Sequence, residues 1–207
     1  MKKSITAQTC LGYTFFSAVA NLAGAIAMLI LLYFVSKSND ADLIRQHYVI
    51  FSLLDAAVAM AVTALLTGLY FHRKMPDVLS HEGDATPAYI LKCFCRWVLP
   101  GEICRLILCS LPTKPGMMFG YRFLDGFFAL VPNYLWDMFY VIPNNRLDSM
   151  RELGYSAADN LVFLAIYAAY LAVMLTVYFF LFKTIWRTAE SARRNEVKLH
   201  MNPDQMK

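Results

Sequence analysis

Residues 11 to 35, LGYTFFSAVANLAGAIAMLILLYFV, run for 25 positions without a charged side chain. A helix needs roughly 20 such residues to cross about 30 Å of hydrocarbon. Few other folds tolerate an apolar stretch of this length. Residues 161 to 182 form a second charge-free run of 22, and residues 47 to 71 a third, broken only by Asp55. Composition agrees. The chain is 58% hydrophobic and 16% charged, against about 45–50% and about 25% in soluble domains. The expected class is an all-α integral membrane protein. Lys2 and Lys3 followed by an apolar run invite a signal-peptide reading, but a signal peptide's apolar region spans only about 7–15 residues. The first run is therefore read as a retained helix.

Lysine and arginine near the spans orient such a chain. With Lys2 and Lys3 inside, the second run returns His72, Arg73 and Lys74 to the cytoplasm. The last run ends at the basic tail 183–207, which carries Lys183, Arg187, Arg193, Arg194 and Lys198. Both termini are thus expected in the cytoplasm, with an even number of crossings, and the membrane expected is the bacterial cytoplasmic membrane.

The middle of the chain is less regular. Thr86-Pro87 is a sound helix start, because proline suits the first helical position and threonine can cap it. Residues 88–111 are taken as the third crossing, with Pro100-Gly101 expected to kink it. Residues 119–142 hold nine aromatics, Arg122, Asp125 and Asp137, with Pro132 interrupting them. Aromatic rings with polar tips favour the membrane–water interface, so this segment is expected to lie on the outer face or to dip in and return. On this scheme twelve lysines and arginines lie inside or at the inner edge and six outside, with Arg105 within a span. A rival scheme keeps 88–111 as an interfacial helix and lets 119–142 cross. The expected layout is a membrane domain over 1–182, with helices at about 11–35, 47–71, 88–111 and 161–182, followed by the tail.

Polar groups inside the spans are the candidates for function. Ser17, Ala20, Asn21, Gly24 and Ala27 form a small-residue stripe on the first run, and Asp55, Ala59, Thr63 and Thr67 another on the second. Such faces let helices approach closely, which predicts an antiparallel hairpin. Depth counted at 1.5 Å per residue puts Asn21 and Asp55 near one level, where a hydrogen bond between them is expected. An aspartate there costs about 2.5–3.5 kcal/mol on insertion scales. It reads either as an ion or proton site or as glue between helices or subunits. In RWVLPGEICRLILCSLP, Glu102 and Arg105 stand three apart, close enough to pair on a helix and so to reduce each other's desolvation. VPNYLWDMFYVIP repeats that pattern of proline, polar residues, charge and proline 32 residues later, as interrupted helices of transporters do.

The candidate sites are therefore an intramembrane group of Asn21, Asp55, Glu102 and Arg105, an outer-face group of Arg122, Asp125 and Asp137, and the basic tail, which suits anionic lipid or a protein partner. The five cysteines read as buried apolar residues. No phosphate loop, metal-ligand spacing or nucleophile motif is present. The function expected is that of a non-catalytic accessory or interaction subunit of a membrane complex. The alternative is a small carrier or channel using Asp55, Glu102 and Arg105. No cofactor is expected. The expected partners are the bilayer and either another membrane protein or further copies of the chain, not nucleic acid.

Overall fold

A computed structural model describes residues 7–38, 47–79, 85–109, 130–145 and 156–200. The described residues are all-helical. Helix α1 spans Ala7–Ser38, α2 Tyr48–Val78, α3 Pro87–Cys109 and α4 Leu130–Trp136. A single π-helical turn, Asp137–Val141, follows α4. Helix α5 runs unbroken from Ala157 to His200, 44 residues, or roughly 66 Å at 1.5 Å per residue. Three segments, Gln8–Lys37, Tyr48–Pro76 and Ala158–Asn195, are long and apolar enough to cross a membrane. They mark the chain as an integral membrane protein and coincide with the three long apolar runs.

The expected hairpin is present. Gly24 lies so close to α2 that an added methyl group would come within 2.5 Å of the Ala59 carbonyl oxygen. Thr63 donates its hydroxyl to the carbonyls of Ala59 (2.8 Å) and Ala20 (3.3 Å), bridging the two helices. Asp55, Ala59, Thr63 and Thr67 are all buried, as are Ser17, Ala20 and Asn21, whereas Phe15, Leu29 and Leu65 face outward. Small side chains thus close the helix–helix seam while large apolar ones meet lipid.

Helix α3 starts at Pro87, where Thr86 Oγ1 accepts the Tyr89 amide (3.3 Å). The helix runs on through Pro100, which itself has no amide hydrogen to donate, to Cys109. It lies parallel to α1: Trp97 Nε1 donates to the Thr9 carbonyl (3.2 Å) and Cys10 Sγ to the Arg96 carbonyl (3.1 Å). Gly101 is needed at this seam, because a methyl group there would sit 2.5 Å from Thr14 Oγ1.

Helix α5 supplies the core with one stripe. Phe163, Tyr167, Tyr170, Met174, Tyr178, Phe182, Trp186 and Glu190 recur every three or four residues and are all buried. Leu161, Val173 and Phe180, on other faces, are exposed. Phe182 meets Phe71 and Trp97 at ring-centroid distances of 5.3 and 5.7 Å, both edge to face, the arrangement aromatic quadrupoles favour. Along this rod α3 packs on one half and α4 on the other: Phe94 meets Phe179 at 5.4 Å, whereas Trp136 meets Phe163 at 5.7 Å. Ser156 and Asp159 cap the start of α5 reciprocally (Ser156 N to Asp159 Oδ2, 2.8 Å; Asp159 N to Ser156 Oγ, 3.2 Å). Tyr140, in the π turn, donates to the same Asp159 carboxylate (2.9 Å).

Candidate functional site

The polar cluster begins where Gly101 lets α1 and α3 close together. Tyr13, one residue from that contact on α1, donates its hydroxyl to Glu102 Oε1 (2.6 Å). The other carboxylate oxygen accepts from Arg105 Nη2. Both side chains are enclosed: Glu102 is 0% exposed and Arg105 3%. The expected i,i+3 pair is therefore formed, and it faces the inside of the bundle. The guanidinium is only partly used. Among the described residues, Nε and Nη1 of Arg105 are buried with no hydrogen-bond partner. Such a group retains most of its desolvation cost.

Tyrosines from α5 complete the surroundings. Tyr167 stands close enough to Arg105 to act on it electrostatically, as does Tyr13. Tyr170 and Tyr178 sit within the field of both Glu102 and Arg105. Tyr170 donates to Asn21 Oδ1 (3.0 Å), and Asn21 Nδ2 in turn donates to the Ser17 carbonyl (2.7 Å). Asn21 thus binds the tyrosine of α5 and its own helix, not Asp55 as its depth suggests. Asp55 instead accepts from Tyr134 of α4 (3.1 Å). The two groups do not share a level: Thr63 meets Ala20 and Ala59 meets Gly24, which sets Asp55 about two helical turns along α2 from Asn21, so the four intramembrane candidates divide. Asn21, Glu102 and Arg105 belong to the α1–α3–α5 interior, and Asp55 to the α2–α4 contact.

The other candidates fall apart in space. Asp137 opens the π turn, while Arg122 and Asp125 lie outside the described residues. Lys183, Arg187, Arg193 and Arg194 ride on α5, which carries the tail onward as part of the same helix, with Lys198 in its last turns. A surface cavity of about 540 Å³ opens between this extension and the end of α2, lined in part by His72, Pro76, Leu79, Ile185 and Arg193. Among the described residues no group of three or more His, Cys, Asp or Glu side chains is placed to hold a metal.

Glu190 went unremarked in the sequence because it stands in a basic tail. It is buried, and its Oε1 accepts from the Ala85 amide (3.0 Å) and from Trp186 Nε1 (2.9 Å). Its Oε2 accepts from Arg187 (3.2 Å). The Trp186–Glu190 spacing of four was the available signal. Tyr13, Tyr167, Tyr170 and Tyr178 were missed for another reason: counting a tyrosine with the hydrophobic residues ignores its hydroxyl.

Comparison with protein-family models, with curated proteins and with solved structures gives no match.

Proposed function

We propose that this chain is a small non-catalytic membrane carrier whose working site is the Glu102–Arg105 pair and the tyrosines around it. The observation that supports this reading is the buried guanidinium with two nitrogens, Nε and Nη1, that find no acceptor among the described residues. Polar groups meant to grip another subunit within the membrane belong on the outer wall, and these face inward. Intramembrane charges that face a bundle interior are the usual mark of a solute, ion or proton path. In this reading the chain crosses four times with both termini cytoplasmic, as its charge distribution favours. Helix α3, with α4 beyond it along α5, supplies the remaining crossing. Reconstituted vesicles test the function: the purified chain should catalyse a solute or ion flux that Glu102→Gln or Arg105→Met alters. Passive vesicles under every gradient tried would leave the carrier reading without support. Impermeant thiol labelling of intact cells tests the orientation: a cysteine at Ser38 should react and one at Ser191 should not.

The accessory-subunit reading draws on a different observation, the extension of α5 past its apolar portion with Arg193 and Arg194 exposed. In that reading the extension binds anionic lipid or a protein partner. A stoichiometric partner that co-purifies with the native chain, and is lost when residues 191–207 are removed, would favour it over the carrier.

A further inference from the structure

We propose that the Glu102–Arg105 site takes up a small monovalent anion together with a proton, with Glu102 as the exchangeable counter-charge. The proposal deepens the carrier reading and rests on it.

The argument is one of charge balance in an enclosed space. With Glu102 ionised, the pair is neutral overall, and an added anion would bring an uncompensated charge into a low-dielectric interior. A proton placed on Glu102 removes the carboxylate charge. Arg105 cannot follow, because a guanidinium does not lose its proton in a protein. The pair then carries one net positive charge, and among the described residues Nε and Nη1 of Arg105 already lack acceptors. An anion seated there accepts from those donors and restores neutrality. One proton and one monovalent anion enter together, and the loaded site has the same net charge as the empty one.

The neighbours fit this cycle. Among the described residues the titratable groups set against the pair are Tyr13 from α1 and Tyr167, Tyr170 and Tyr178 from α5. All four are hydroxyls, which stabilise either charge state without supplying a rival ion. Helix α2 stacks Phe71 on Tyr13 (5.9 Å) and brings Thr67 towards Tyr178. Asp55, the carboxylate within its apolar run, is engaged by Tyr134 of α4. The enclosure of Glu102 and Arg105 restricts the ligand to a few atoms, a halide or a short carboxylate.

Thermal unfolding of the purified full chain in a non-ionic detergent tests the site. Chloride or formate replaces gluconate at constant ionic strength, at an acid pH of about 5 and an alkaline pH of about 8, which differ about a thousandfold in proton activity. In the wild type the small anion should raise Tm with the logarithm of its concentration at the acid pH and leave it unchanged at the alkaline one. Glu102→Gln mimics the protonated carboxyl, so its Tm should respond to the anion equally at both pH values. Absence of any response to chloride and formate in the acid wild type overturns the proposal, as does an equal response of the wild type at both pH values. Proton flux into vesicles driven by a chloride or formate gradient separates the two levels. Anion binding without flux retains the site and removes the carrier. Flux of another solute without anion binding retains the carrier and removes this proposal.

Discussion

Glu102 and Glu190 are both buried carboxylates, each three residues from an arginine on its own helix, and each tied to a second helix. Glu190 holds α5 to the start of α3 through the Ala85 amide, and both its oxygens are used. Glu102 holds α3 to α1 through Tyr13, and both its oxygens are used as well. The difference lies in the arginines. The Arg187 side chain is 41% exposed, so its remaining donors reach water. Arg105 is enclosed, and two of its nitrogens reach no acceptor among the described residues. The first arrangement is complete as a joint between helices. The second is a joint with surplus hydrogen-bonding capacity, and that surplus is what a structural role alone does not require.

The strongest test of the contrast removes one member of the enclosed pair. Arg105→Met leaves the Glu102 carboxylate buried with only Tyr13, and truncating one partner of a buried ion pair costs about 3–5 kcal/mol. Replacing both, as Glu102→Gln with Arg105→Met, should recover most of that loss. Detergent thermal stability of the single and double variants checks this; additive losses would mean that the two groups do not act as a unit. A smaller effect belongs to Glu190→Gln, which leaves a weaker acceptor for Ala85 and Trp186 at a cost of about 1–3 kcal/mol. It should show as faster amide exchange in the first turn of α3 and a shifted Trp186 emission. Unchanged exchange there would mean that Glu190 does not anchor α3. The smallest effect is expected of Arg187→Met, about 0.2–1 kcal/mol, because half-exposed pairs are screened. A loss as large as that of Arg105→Met would erase the distinction between the two sites.

The three long helices were legible because an uncharged run of more than 20 residues has few alternatives. The seam between α1 and α2 was legible too, since Gly24, Ala59 and Thr63 stand at regular helical spacing. Glu102 and Arg105 were found as a pair because residues three apart share a helix face. The Asn21 and Asp55 partners were not found. Counting residues from the ends of two helices does not fix their register: the contacts of Thr63 with Ala20 and of Ala59 with Gly24 set Asp55 about two turns from Asn21, where Tyr134 rather than Tyr170 meets it. Helix α4 escaped notice as a helix for a related reason: Pro132 and the aromatic crowd suggest an interface, while its packing on Phe163, and that of the following π turn on Asp159, is decided by residues far along the chain.

The unbroken course of α5 has a mechanical consequence. From Ala157 to His200 it contains neither glycine nor proline, the residues at which helices ordinarily bend. Tyr167 and Tyr170, beside the polar pair, therefore share one stiff lever with Trp186 and Glu190. A tilt or rotation imposed at the tyrosines has no hinge in which to dissipate. It reaches the Ala85 clasp and, beyond it, the arginines at the far end of the same rod.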